Sequence, residues 1–240
     1  MQPQSEGQPA QPEQSQRPVA VSGASGKTGW RVVQELLRQG QPVRALVRPG
    51  SQLPAGLDGA EVVRLQLADT EALHHALEGC SALVIATGAR PSVDLSGPLQ
   101  VDALGVRAQI NACKAMGLRR VLLVSSLCAG RWRHPLNLFG LILVWKGVGE
   151  RWLAESGLDY TVIRPGGLSE REEGCEAGQE REGVRFSGPG EQESDSIPRR
   201  LVARVCVQAL ATPAAIGRTI EITSSASQPR RSVAEWLAAA

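Results

Sequence analysis

Three glycines, Gly23, Gly26 and Gly29, recur at three-residue spacing in the run Ser22-Gly23-Ala24-Ser25-Gly26-Lys27-Thr28-Gly29. Glycine is required where a chain turns with positive φ or lies flush against a ligand, because a Cβ would clash. The run follows the apolar triplet Val19-Ala20-Val21 and precedes a stretch in which Val32, Val33, Leu36 and Leu37 repeat with helical spacing. Strand, glycine turn and helix, in that order, put unpaired amides and the positive end of the helix dipole beneath the turn. That makes a seat for a pyrophosphate, and a βαβ unit built on it points to a dinucleotide. Without that context the spacing would describe an ordinary strand-to-helix turn.

The end of the second strand separates the two nicotinamide dinucleotides. An acid there holds the ribose 2′-hydroxyl of NAD(H), whereas a cation there meets the 2′-phosphate of NADP(H). Residues 43–50 read Val-Arg-Ala-Leu-Val-Arg-Pro-Gly and contain no acid. Arg48 has the fork geometry to pair with a phosphate, and Lys27 supplies a second cation. NADP(H) is therefore expected over NAD(H); the plainer account of Arg48 is a solvated arginine at a strand end.

These residues need a scaffold, and the pattern predicts one. From Pro18 onward, short apolar or β-branched runs at 43–47, 62–65, 83–86, 121–124, 160–163 and 219–223 alternate with helical patterns. The helices are expected at 101–116, 141–156, 197–210 and 233–237, with Asp69 as the N-cap of another. Such alternation specifies an α/β fold, a Rossmann-type doubly wound parallel sheet in a single domain. Pro165 is expected to end the sixth strand. The acidic, glycine-bearing segment 169–195 reads as a surface excursion with one short strand at 184–186, either a lid or a solvated loop. Residues 1–17, rich in Gln, Pro, Ser and Glu, read as a disordered tail ahead of an NAD(P)-binding Rossmann-like domain at 18–240.

Composition removes several alternatives. A formal net charge of +2 over 240 residues gives no electrostatic case for nucleic acid. The five cysteines form no CxxC pair and the three histidines show no metal-ligand spacing, so no metal is expected. The longest apolar stretch, 136–144, falls short of the roughly 20 residues that span a bilayer, so no transmembrane segment is expected. An odd cysteine count without a secretory or transit leader fits a reducing, cytoplasmic location.

The glycine turn ending in Trp30, together with Leu46-Val47-Arg48, Val124-Ser125-Ser126 and the run from Leu158 to Gly167, resembles the atypical short-chain dehydrogenase/reductases. Within them it is most similar to the NAD(P)H-binding group of cyanobacteria and plastids, with NmrA-like sensors as more distant kin. The resemblance covers residues 18–223 and implies roles by position. Ser25, Gly26, Lys27 and Thr28 would hold the phosphates, and Gln66 and Leu67 would flank the adenine, with Gln66 standing where the family usually has an acid. Thr87 and Gly88, with Ala89, would line the adenosine side, and Pro165 and Gly166 would approach the nicotinamide.

The same resemblance raises a question about catalysis. Reductases of this superfamily carry a Tyr four residues before a Lys; the Lys holds the nicotinamide ribose while the Tyr moves a proton. Lys146 matches that lysine, but Ile142 stands where the tyrosine belongs. Ser126 matches the family's substrate-orienting serine, with Ser125 beside it. Lys146 either holds the cofactor or serves as acid/base itself. The protein is then an NADPH-dependent oxidoreductase of a small carbonyl, quinone, flavin or tetrapyrrole-type acceptor, or a non-catalytic NADP(H) sensor or assembly factor with a protein partner. Trp132, Leu136, Phe139 and Trp145 read as core packing and a helix dimer seam, or as a pocket wall or contact for an apolar partner.

Overall fold

The computed structural model describes residues 17–89, 95–171, 182–192 and 194–239. The expected tail lies outside them except for Arg17, whose guanidinium donates to the carbonyls of Gly79 and Cys80 at 3.0 Å each.

Among these residues the chain runs β1 (Val19–Ser22), α1 (Gly29–Arg38), β2 (Val43–Val47), β3 (Glu61–Arg64), α2 (Thr70–Leu77), β4 (Ala82–Ile85), α3 (Gly105–Ala115) and β5 (Arg120–Val124). It continues through α4 (Ile142–Ala154), β6 (Asp159–Pro165), β7 (Gly167–Ser169), β8 (Gly183–Ser187), β9 (Ser196–Pro198), α5 (Arg199–Ala211), β10 (Arg218–Ser225) and α6 (Val233–Ala238). Eight strands form one sheet in the order β3-β2-β1-β4-β5-β6-β10-β8. Every pairing is parallel except that of β8 with β10. β7 and β9 make a separate parallel pair.

Strand residues point alternately to the two faces, so a sheet covered on both sides needs strands that are apolar throughout. In β1, Val19 and Val21 join Val32, Val33 and Leu36 of α1 and Val202, Val205 and Cys206 of α5 in one core layer. Ala20 joins Leu83, Ile85, Leu73 of α2, Ile110 of α3 and Leu153 of α4 in the other. Removing a Leu or Val side chain from water is worth about 1.5–3 kcal/mol, so these two layers dominate the fold. The sheet order reverses between β1 and β4, and ligands bind beyond the carboxyl ends of strands at such a switch point.

Helix boundaries follow the sequence cues. Asp69 caps α2 through Ala72 N at 3.0 Å, and Gly40, with φ of 74°, turns the chain out of α1. Two expectations are corrected. β6 does not stop before Pro165: the proline pairs with Ile222 and its carbonyl accepts from Leu127 N at 2.9 Å. The register with β5 ends earlier, at Val124 opposite Ile163, so the missing N–H breaks no rung there and pairing with β10 continues. The helix expected at 101–116 is also interrupted. Residues Leu99–Leu104 form a wide π-type turn before α3, an insertion of the sort found at functional sites. The strand expected at 184–186 is present as β8, the antiparallel edge of the main sheet.

Candidate functional site

The strand ends arrange the sequence-derived residues in one row. In sheet order these are Gln66 and Leu67 after β3, Arg48 after β2, and the glycine turn after β1. Thr87 and Gly88 follow β4, Ser125 and Ser126 follow β5, and Pro165 and Gly166 lie at the end of β6. Contacts tie neighbours together. Ala24 N donates to Leu46 O at 3.3 Å, joining the glycine turn to β2 two residues before Arg48. Gly23 has φ of 73°, and a Cβ there would lie 2.8 Å from Ala86 O and 2.9 Å from Thr87 N. The turn is thus seated against the end of β4. At Gly29 a Cβ would stand 2.2 Å from Gly23 O, so the turn closes only without side chains at both positions.

Lys146 reaches this row because glycines let α4 approach it. A Cβ at Gly147 would lie 2.6 Å from Gly130 Cα, and one at Gly149 would lie 2.5 Å from Asp102 O. This close approach brings Lys146 Nζ to 2.6 Å from Asp102 Oδ1, in a pair whose side chains are 14% and 2% exposed. Asp102 also accepts from Ala89 N at 3.1 Å through its other oxygen. Both charged groups lie next to Gly88, 3.7 Å from where its Cβ would be. The wide turn 99–104 therefore supplies a counter-charge that anchors the lysine beside the end of β4. Asp102 was missed in the sequence because its partner lies on another helix; an acid amid apolar residues opening a helix was the signal available.

A nucleotide fits these residues. Four hydroxyls at or just past strand ends, Ser22, Thr87, Ser125 and Ser169, have buried oxygens without a hydrogen-bond partner. Buried polar groups normally find partners, so Ser22, Thr87 and Ser125, at the ends of the neighbouring strands β1, β4 and β5, mark a place for a polar ligand. Ser126 is half-buried at the same edge, while Gln66, Arg48 and Gly88 are exposed.

A family model for NAD(P)H-binding proteins matches residues 23–213. The chain belongs to this family. It is 34% identical over 234 residues to an uncharacterised chloroplastic protein of Arabidopsis thaliana, covering 92% of this chain and 81% of that one. It is 32% identical over 231 residues to sanguinarine reductase of Eschscholzia californica, covering 80% and 83%. A Bacillus halodurans structure assigned as an NAD-dependent epimerase/dehydratase superposes with a TM-score of 0.79 at 28% identity, covering 93% of this chain and all of that one. The place among atypical short-chain dehydrogenase/reductases implied by the motifs is borne out, and the protein is an NAD(P)H-binding, oxidoreductase-like member of that group.

Other expectations change. Trp132, Leu136 and Phe139 do not pack in the core: they are 69%, 45% and 46% exposed, with Leu138 at 82%. Buried Asn137 holds their loop open to solvent, donating to the carbonyls of Arg131 and Trp132 at 2.8 Å and accepting from Leu143 N at 3.0 Å. Trp145 is half-buried. A groove of about 460 Å³ runs along α4 and β6, lined by Trp132, Val148, Tyr160 and Arg164, but Lys146 does not line it. Part of the segment 169–195, including Cys175, lies outside the described residues. Cys80, Cys113, Cys128 and Cys206 are buried and not joined in disulfides, and burial pushes the Cys113 and Cys206 thiols up to about 12. Thiols held protonated in this way are poor nucleophiles and poor redox sensors. Among the described residues no cluster suits a metal ion, and no helix is long and apolar enough to cross a membrane.

Proposed function

We propose that the protein is an NADPH-dependent oxidoreductase acting on a small carbonyl, quinone, flavin or tetrapyrrole-type acceptor. The observation that carries this is the Asp102–Lys146 pair, which fixes a lysine beside Gly88 at the switch point of an NAD(P)H-binding sheet. Sanguinarine reductase, similar over most of both chains, supports a reductase.

In this reading Ser25, Gly26, Lys27 and Thr28 hold the phosphates and Arg48 selects the 2′-phosphate. Gln66 and Leu67 flank the adenine, Thr87 and Gly88 line the adenosine side, and Pro165 and Gly166 shape the nicotinamide end. When bound, the dinucleotide supplies the hydride. Lys146, whose ammonium donates to Asp102, orients the ribose, and Ser126 orients the acceptor. The buried cysteines, not joined in disulfides, suit a reducing compartment of the cytoplasmic kind.

The test is NADPH oxidation against quinones, flavins, tetrapyrroles and aldehydes. Turnover on one class, lost in Lys146→Ala, is the expected result. Arg48→Ala should weaken NADPH at least tenfold and leave NADH unchanged. Tight NADPH binding without turnover on any acceptor would refute the oxidoreductase and leave a nucleotide-binding sensor or assembly factor.

A further inference from the structure

Beside the glycine turn, cations from three elements converge on one carboxylate. Glu170 Oε1 lies 2.9 Å from Lys27 Nζ and 3.0 Å from Arg199 Nε, and its Oε2 lies 3.4 Å from Arg31 Nη2. Arg199 also donates to Thr28 Oγ1 at 3.1 Å, and Arg31 donates to the Lys27 carbonyl. The chain register explains the convergence. β7 pairs with β9 so that Ser169 lies opposite Pro198, and the residues that follow are Glu170 and Arg199. α5 then packs on α1, delivering Arg199 to Thr28 at the start of that helix.

Burial is lopsided. The Arg31 and Arg199 side chains are 6% and 18% exposed, whereas Glu170 is 48% exposed. The two arginines are built into the floor and the carboxylate lies on their solvent side, with Lys27, 64% exposed, reaching it from the rim. Lys27, then Arg199, hold the Glu170 carboxyl below its ordinary value, so it meets them as an anion. The Ser169 hydroxyl next to it is among the buried polar atoms without a partner. Guanidinium forks bind carboxylate and phosphate with the same geometry, and a phosphate brings more negative charge.

We propose that Lys27, Thr28, Arg31 and Arg199 form a phosphate subsite for the dinucleotide, and that Glu170 fills it as an internal anion which the cofactor displaces. The proposal rests on the NADP(H)-binding reading above and adds two cations and a gate to it. Binding is then an exchange of anions: Glu170 gives up its ion pairs with Lys27, Arg31 and Arg199 as the phosphates arrive.

Calorimetric titration of wild type, Glu170→Gln, Arg199→Ala and Arg199→Lys with NADPH, NADH and inorganic pyrophosphate tests this. Three partly exposed ion pairs compete with the ligand, each worth a factor of up to about 5 before screening by salt. Glu170→Gln should therefore tighten NADPH by on the order of tenfold and enlarge the rise in melting temperature that NADPH produces. Arg199→Ala should weaken binding by a similar factor, with partial recovery in Arg199→Lys. Tightening with NADPH, NADH and pyrophosphate alike assigns the subsite to the pyrophosphate bridge; tightening with NADPH alone assigns it to the 2′-phosphate. If wild type binds NADPH and Glu170→Gln binds it no better, the gate is refuted while the cofactor reading stands. If wild type binds no nucleotide, the cofactor reading itself fails.

Discussion

Neutralising Asp102 should unsettle Lys146 more than any direct change around the lysine's stem. The pair is 2.6 Å long, with Lys146 14% and Asp102 2% exposed, so the remaining ammonium would be left mostly dry. Removing one partner of a buried pair costs roughly 3–5 kcal/mol. Asp102→Asn keeps an amide oxygen as acceptor, which places the loss nearer about 2–3 kcal/mol. A domain of this size melts about 2–4 °C lower per kcal/mol, giving a fall of about 5–10 °C. The assay is a double-mutant cycle with Lys146→Met, followed by thermal and urea melts. Once the lysine charge is gone, Asp102→Asn should cost much less, with a coupling of about 1.5–3 kcal/mol. NADPH affinity should fall in each single variant and no further in the double. Additivity within about 0.5 kcal/mol would show that the two side chains do not depend on each other, and the positioning role of Asp102 would be abandoned.

Other consequences follow from the same structure. Gly29→Ala puts a Cβ 2.2 Å from Gly23 O, so despite alanine's better helix propensity it should destabilise by about 1–3 kcal/mol and weaken NADPH at least tenfold, read by melts and titration. Asn137→Ala strips three backbone partners from the loop bearing Trp132; a loss of about 2–3 kcal/mol and faster proteolysis between residues 131 and 141 are expected. Buried Glu35 is held below its ordinary value of 4.5: burial alone would raise it, but hydrogen bonds from Arg38 and Gln39 outweigh that. Its folded value being the lower one, the carboxylate stabilises above about pH 4.5 and that stability is lost as pH falls. Glu35→Gln should therefore flatten the acid limb of a stability profile between about pH 5 and pH 3, and an unchanged limb would count against it.

The sheet was legible because each central strand is an apolar run too short for a helix, bounded by glycine or a polar cap. The nucleotide edge was legible because Gly23, Gly26 and Gly29 announce a backbone that must lie bare. What escaped depends on pairings distant in sequence. Asp102 and Lys146 are joined only once Gly149 lets α4 close on the wide turn and Gly147 lets it close on Gly130, and neither glycine looks different from a weak helix residue in the sequence. Glu170 and Arg199 meet through strands of three residues each, too short to show alternation. Pro165 misled because a strand proline is harmless past the last rung with β5, where only the pairing with β10 continues. Trp132, Leu136 and Phe139 misled for a different reason: a buried asparagine, not the apolar pattern, decides which way their loop faces.

The same geometry constrains the acceptor. A reductase with a tyrosine one turn before its lysine can hand a proton to a carbonyl oxygen as the hydride leaves; here Ile142 occupies that turn and Lys146 is already donating to Asp102. In the proposed reading Ser126 orients an acceptor oxygen, and a lone serine hydroxyl is a weak acid for this step. Flavins, quinones and conjugated tetrapyrroles spread the incoming charge over a π-system and can take the proton from water afterwards. Simple ketones cannot, so within the acceptor panel turnover should rise with the acidity of the reduced product, and Ile142→Tyr should improve aldehydes most. A ketone turned over as fast as a quinone by the unaltered protein would mean that a proton donor outside this row is at work.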